Sequence, residues 1–210
     1  MRPIAIFRHL DIEGPGYLSD FLDARRIPWE LIAIDAGMTP PDSPEAYSGL
    51  VFMGGPMSVN DDLPWLPPTL ELIRGAVAVH VPVIGHCLGG QLISKALGGV
   101  ITRNPVKELG WGEVTTTDTL AGDWMGVLER FDAFHWHGET FSIPTGATRI
   151  LKSAYCENQA FVLGIGEIRK LRPDFNERNY ILVEEEPRVD WRIVASQIDD
   201  LDTDGKGDEL

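Results

Sequence analysis

The chain has 210 residues, which is enough for one domain with a sizeable apolar core. It carries 32 acidic and 18 basic residues, a formal net charge of -14, so neither nucleic acid nor a membrane is an expected partner. Arg8, His9 and Asp11 come too early for a signal-peptide core, and no apolar run approaches about 18 residues. With two cysteines and no disulfide framework, the expected location is cytoplasmic.

Apolar runs alternate with amphipathic segments along the first half of the chain. Four runs are predicted strands: Ile4 to Phe7, Leu31 to Ile34, Leu50 to Met53 and Val81 to Ile84. Helical spacing predicts helices that begin near Tyr17, near Pro67 and at Leu88. This alternation is typical of a doubly wound, mostly parallel α/β sheet flanked by helices, in which ligands bind at the carboxyl ends of strands.

The turn around Cys87 is the strongest functional signal in the sequence. A predicted strand enters this turn and a predicted helix leaves it, with Gly85 and Gly89 flanking the cysteine. The pattern G-x-C-x-G is the cysteine form of a nucleophile elbow, in which small neighbours permit a strained backbone. The helix N-terminus lowers the pKa of a thiol there. We therefore predict an exposed, reactive Cys87, against the alternative of a buried structural cysteine.

A glycine loop is predicted at the same edge of the sheet, after the third strand. Its sequence is Gly54-Gly55-Pro56-Met57-Ser58. Taken alone, the two glycines are compatible with a simple tight turn. Beside the elbow they are better interpreted as a source of oxyanion N-H groups, because a glycine backbone allows close approach to a substrate carbonyl.

Beyond Gly99 the pattern changes to shorter apolar stretches. Three further strands are predicted, at Val100 to Thr102, Trp111 to Thr117 and Ala133 to Trp136. Between them, Asp118 to Val127 is predicted to form a turn or a short helix. These elements add a small mixed or antiparallel β portion to the fold.

Four motifs taken together resemble those of class I glutamine amidotransferases. They are GGPMS at 54–58, GHCLGGQ at 85–91, NPVKELGW at 104–111 and WHGETF at 136–141. More narrowly, they resemble small stand-alone members related to the glutaminase domain of GMP synthetase. The resemblance covers roughly residues 1–164 and implies a flavodoxin-like fold with a Cys-His-Glu triad.

The resemblance also implies roles for individual residues and partners. The implied site consists of Cys87 as nucleophile, Gly55 and Leu88 as oxyanion donors, and Gln91 and Gly54 as substrate contacts. His137 is implied to be a structural or substrate-pocket residue. The substrate is expected to be glutamine or a γ-glutamyl compound. No cofactor or metal is expected, and any acceptor-binding subunit is expected to be a separate chain.

The resemblance further requires a strand with a histidine, and a glutamate two residues later, shortly after the segment 158–164. No histidine follows His137, so the expected triad is incomplete. None of the five histidines is expected to serve as the base, and Glu139 is expected to be a pocket or structural carboxylate. Residues 165–210 are predicted to be a divergent segment with a disordered end from Asp199, through genomic rearrangement or a shifted reading frame.

The sequence is therefore compatible with three functions. The first is a glutamine amidotransferase whose activity is impaired by the missing histidine. The second is a γ-glutamyl hydrolase with the same elbow, and the third is a non-catalytic binding or regulatory protein that retains the fold.

Overall fold

The computed structural model describes residues 1–163 and the backbone of residues 193–196 and 198–200. Within these residues the strands are β1 Ile4–Arg8, β2 Trp29–Ala33, β3 Gly49–Phe52, β4 Val83–His86, β5 Ile101–Thr116, β6 Arg130–Phe141, β7 Thr148–Ser153, β8 Ala160–Val162, β9 Ile193–Ser196 and β10 Ile198–Asp200. The α-helices are α1 Tyr17–Ala24, α2 Leu66–Ala78, α3 Leu88–Ala96 and α4 Gly122–Met125. The strands form one mixed sheet in the order β10-β6-β5-β7-β8-β9-β4-β3-β1-β2.

One half of this sheet is parallel and consists of β9, β4, β3, β1 and β2. Alternate side chains of β1 and β3 face opposite layers of helices. Phe7 and Phe52 stack with ring centroids 4.5 Å apart in the core that also contains side chains of α2 and α3. Ile6 and Val51 pack with Leu22 of α1 on the other face. The predicted doubly wound α/β architecture is confirmed.

The other half is antiparallel and consists of β8, β7, β5, β6 and β10. The two strands predicted at 100–102 and 111–117 form the single strand β5, which corrects the sequence interpretation. Its register with β6 shifts between Arg103 and Glu108. Pro105 lies in this irregular stretch and has no backbone N-H to donate, which explains why the sequence pattern breaks there.

The strand β4 begins two residues later than the apolar run predicts. His80 has a φ of 61°, and the N-H of Val81 donates to the carbonyl of Ala76 at 2.9 Å. These two features end α2 with a left-handed residue, a conformation that more often selects glycine. Val81 therefore belongs to the helix cap and not to the strand.

Part of the divergent C-terminal segment belongs to the sheet. β9 pairs in parallel with β4 and antiparallel with β8, so it joins the two halves. Asp199 and Asp200, predicted to begin a disordered end, lie in β10. The rest of the predicted segment, 165–192, 197 and 201–210, lies outside the described residues, as does residue 164 before it. Within the described part of the chain, no helix combines the length and apolar character needed to cross a membrane.

Candidate functional site

Cys87 lies between β4 and α3 in the conformation of a nucleophile elbow. Its φ of 50° and ψ of -111° lie in a region that residues with side chains rarely adopt. A Cβ atom added to Gly85 would lie 2.4 Å from the Gly89 carbonyl group, and one added to Gly89 would lie 1.9 Å from the Phe52 carbonyl oxygen. The turn therefore needs glycine on both sides of the cysteine, as the sequence pattern indicates.

The thiol of Cys87 is less accessible than the sequence led us to expect. The residue is 8% exposed, whereas an exposed cysteine was predicted. The reason is the neighbouring loop, since the position of a Cβ on Gly54 would lie only 3.5 Å from the Cβ of Cys87. Cys156, at 1% exposure, is buried more deeply still.

The glycine loop and the elbow meet at the carboxyl edge of the parallel half. A Cβ on Gly55 would lie 2.9 Å from Cδ2 of Leu88 and 3.1 Å from Sδ of Met57. Gln91 lies one turn along α3 from the cysteine, is buried, and donates its backbone N-H to the Cys87 carbonyl at 3.2 Å. The structure thus brings together Cys87, Leu88, Gly54, Gly55 and Gln91.

Two residues for which the sequence suggested no role also lie at this edge. Nδ1 of His9, just after β1, is 3.1 Å from the Met53 carbonyl oxygen. In the next part of the same loop, Oε2 of Glu13 is 2.2 Å from the position that a Cβ on Gly54 would occupy. The sequence could have indicated these two residues through the topology of the predicted sheet. The loop after β1 lies at the carboxyl ends of the parallel strands, where such sheets bind ligands.

His137, expected to be a structural or substrate-pocket residue, lies in a buried polar network of the antiparallel half. Its Nε2 is 3.0 Å from Oε2 of Glu108. Ser153 donates to Oε1 of the same carboxylate at 2.6 Å, and the amide of Gln159 donates to Oε2 at 2.7 Å. Burial raises the pKa of Glu108, but the bonds from His137 and Ser153 and the nearby imidazoles outweigh it and leave this pKa lowered.

The same network offers a set of metal-ligand atoms. Glu108, His137 and Cys156 are all buried, and their ligand atoms lie within 4.8 Å of one another. Each of these atoms already has a partner, because Glu108 and His137 bond each other and the Cys156 sulfur lies 3.2 Å from Oγ1 of Thr140. A metal ion would have to displace these bonds, so we interpret the cluster as a hydrogen-bonded core.

A short chain of contacts joins this network to the glycine loop. Ser58, at the end of the loop, donates to Oε1 of Glu139 at 3.1 Å. Nδ1 of His137 lies 3.0 Å from the Glu139 carbonyl oxygen. Glu139 therefore connects the two halves of the sheet, which agrees with a structural role for this carboxylate.

The family model of class I glutamine amidotransferases matches residues 21–169 of the chain. The chain belongs to this family. The resemblance inferred from the four motifs is therefore confirmed, together with the class I glutamine amidotransferase fold.

Individual relatives agree with this assignment. The glutamine amidotransferase-like protein YfeJ of Salmonella typhimurium is 30% identical over 165 residues, covering 74% of this chain and 68% of YfeJ. A subunit of the glutamine-hydrolysing GMP synthase of Saccharolobus solfataricus is 28% identical over 129 residues, covering 59% of this chain and 65% of that subunit. The match to the GMP synthase of Latilactobacillus sakei spans only 20% of that enzyme.

Solved structures of family members also superpose on the chain. The crystal structure of a glutamine amidotransferase from Methylobacillus flagellatus has 40% identity and a TM-score of 0.76, covering 94% of this chain and 85% of the other. A glutamine amidotransferase from Thermotoga maritima has 26% identity and a TM-score of 0.75, covering 94% and 76%.

Proposed function

We propose that this amidotransferase attacks the side-chain amide of glutamine with the thiolate of Cys87 and releases ammonia. The observation that carries the proposal is the positive φ of Cys87 at the N-terminus of α3, with the Gly54-Gly55 loop against it. This arrangement is the one that a nucleophile elbow and its oxyanion donors require. Family membership supports glutamine as the substrate.

The chemistry divides amide hydrolysis into two steps. The sulfur of Cys87 bonds to the amide carbon, and the carbonyl electrons move to an oxygen that accepts hydrogen bonds from the N-H groups of Gly55 and Leu88. The tetrahedral intermediate collapses and ammonia leaves with the proton that the thiol gave up. Water then hydrolyses the glutamyl thioester, which restores the thiol.

Proton transfer is the weak point of this chemistry in the present chain. No histidine follows His137 in the sequence. The strand β9 ends at Ser196 and pairs with β4, the strand that leads to Cys87. The next three residues in the sequence are Gln197, Ile198 and Asp199. His135 and His137 lie in the buried network of the antiparallel half. Loss of the base in a triad enzyme can cost about a million-fold in rate, so we propose a slow glutaminase.

The missing histidine favours a second candidate function, a glutamine-binding protein without turnover. Both candidates use the same site at Cys87 and the glycine loop, and they differ only in whether ammonia is released. Since one relative is named as a subunit of GMP synthase, we further propose that a separate chain binds the acceptor of the ammonia.

Covalent labelling and ammonia release test the proposal together. A diazoketone analogue of glutamine should label Cys87 and not the more deeply buried Cys156. Labelling and any ammonia release should disappear in Cys87→Ala and persist in the matched variant Cys156→Ala. Labelling without ammonia release would favour the binding protein, whereas preferential labelling of Cys156 or none at all would overturn both candidates.

A further inference from the structure

The Gly54-Gly55 loop, which lies against Cys87, takes its shape partly from a side chain that follows the neighbouring strand β1. His9 follows β1 directly and is buried, with 1% of its surface exposed. Its Nδ1 lies 3.1 Å from the carbonyl oxygen of Met53, which immediately precedes Gly54. Since a carbonyl oxygen can only accept, Nδ1 carries the hydrogen and donates it.

This hydrogen bond completes a clamp on the peptide groups that leave β3. The N-H of Met53 donates to the Phe7 carbonyl at 3.0 Å, while its carbonyl accepts from His9. A peptide group is planar, so holding its carbonyl orients the whole Met53-Gly54 linkage. The Gly55 N-H belongs to the next peptide group, which is joined to this one through Gly54, a residue with no side chain to limit its rotation.

The same side chain also packs beside Gly55, the next residue of the loop. The Cβ of His9 lies 3.3 Å from the position that a Cβ on Gly55 would occupy. The ring centroid lies 4.9 Å from that of Trp65, which covers another side of the ring. His9 therefore contacts both the peptide before Gly54 and the space beside Gly55.

The protonation state of His9 suits this arrangement. Burial, only partly offset by hydrogen bonding with the Met53 and Gly54 backbone and by the charge of Asp35, lowers its pKa to about 4. The imidazole is consequently neutral near pH 7. Its Nε2 is a buried atom without a hydrogen-bond partner among the described residues, so a second proton there would have no acceptor.

We propose that His9 is a positioning residue that orients the Gly55 N-H toward the oxyanion by holding the Met53 carbonyl on one side of Gly54 and packing beside Gly55 on the other. This inference rests on the proposed function, because it assumes that Gly55 donates to the reacting carbonyl oxygen. The proposal gives His9 no contact with the thiol or the substrate. Its contribution passes through the Met53-Gly54 peptide, which it bonds, and through the backbone at Gly55, against which its Cβ packs.

Two variants separate a positioning role from a purely structural one. In His9→Asn the amide nitrogen can reach the position of Nδ1 and restore the bond to Met53, whereas His9→Gln places its amide near the position of Nε2. His9→Phe keeps the ring volume and removes the donor. Should His9→Phe fail to fold, the comparison of His9→Asn with His9→Gln still isolates the donor.

The first measurement uses an aldehyde analogue of glutamine. The Cys87 thiol releases its proton to solvent and the thiolate adds to the aldehyde carbon, so that a C-S bond forms and the C=O π electron pair moves to the oxygen, which becomes an oxyanion. His9→Phe and His9→Gln should bind this analogue about tenfold to a hundredfold more weakly, with His9→Asn close to the wild type. The rate of alkylation by iodoacetamide, which forms no oxyanion, should stay within about twofold.

The second measurement does not depend on glutamine. Amide hydrogen exchange at Gly54 and Gly55 should become about tenfold faster in His9→Phe and His9→Gln but not in His9→Asn. Unchanged exchange, or an equal loss of aldehyde binding and iodoacetamide reactivity, would overturn the positioning role. If the wild type shows no Cys87-dependent aldehyde binding, the proposed function fails instead, and hydrogen exchange alone then decides whether His9 orders the loop.

Discussion

The two halves of the sheet hold their polar groups in different ways. In the parallel half, the elbow depends on backbone fit, with Gly85 and Gly89 in spaces that admit no Cβ. In the antiparallel half, a carboxylate, two imidazoles and an amide hydrogen-bond one another around Glu108, although Oε1 of Gln159 is buried without a partner among the described residues. The first arrangement places the N-terminus of α3 at the sheet edge, whereas the second uses most of its donors and acceptors internally.

Under the proposed function, this difference assigns the chemistry to the parallel half and a supporting role to the antiparallel half. The proposed reaction needs N-H donors beside the sulfur, and Cys87 lies at the N-terminus of α3, where the first N-H groups of the helix have no partner within it. Most polar groups of the buried network already have partners, which leaves little capacity for a ligand. Of the two roles that the resemblance implies for His137, structural or in the substrate pocket, we therefore propose the structural one.

The largest effect that we predict concerns the close backbone packing around the elbow in the parallel half. Gly89→Ala places a methyl group 1.9 Å from a backbone carbonyl that cannot move without β3. We expect a loss of about 4 kcal/mol or failure to fold, measured by denaturant unfolding. Gly122→Ala is the matched helical control, since nothing lies within 4 Å of its added Cβ, and it should change stability by less than about 0.5 kcal/mol.

The second prediction concerns acid sensitivity in the same half. The pKa of His9 is lowered from 6.5 to about 4, so the unfolded chain binds the proton more readily between these values. The stability due to neutral His9 is present above pH 6.5 and is lost as the pH falls through about 4. The wild type should lose about 3 kcal/mol more than His9→Asn across this window. Parallel stability curves for the two proteins would contradict the assignment.

The third prediction addresses the network of the antiparallel half. Glu108→Gln keeps the shape but leaves one of the donors around the carboxylate without an acceptor, at a cost of about 2 kcal/mol. The pKa of Glu108 is lowered from 4.5 in the folded protein. The difference in unfolding free energy between the wild type and Glu108→Gln should therefore be complete above pH 4.5 and shrink as the pH falls through the lowered pKa. Glu113→Gln, on the same strand with an exposed ion pair to Arg130, should cost less than about 0.5 kcal/mol.

The smallest predicted effect tests the contact between the halves. Ser58 donates to Glu139 at 3.1 Å, so Ser58→Ala and Glu139→Ala should not be additive. Glu139→Gln would keep an oxygen that accepts from Ser58, so the double-mutant cycle that isolates the contact uses Glu139→Ala, for which we expect a coupling free energy of about 1 kcal/mol. Additive effects would mean that the two halves are coupled through the sheet alone.

Much of the parallel half could be predicted because its signals are local in sequence. The G-x-C-x-G pattern places both glycines within two residues of Cys87, and each apolar run forms its own strand. The boundaries were less predictable, because they depend on hydrogen bonds such as that from Val81 to Ala76. The exposure of Cys87 was overestimated because the loop against it comes from a different strand.

The amino-acid sequence by itself determined the α/β class, the elbow at Cys87 and the glycine loop at 54–58, since each follows from residues that are neighbours in the chain. Only the tertiary structure decided that His9 holds Met53, that Glu108 meets His137 and Gln159, and that β9 joins β4 to β8. Hydrogen bonds between residues 22 to 51 positions apart in the network depend on strand register. Register is set by the packing of the whole sheet, and no local pattern encodes it.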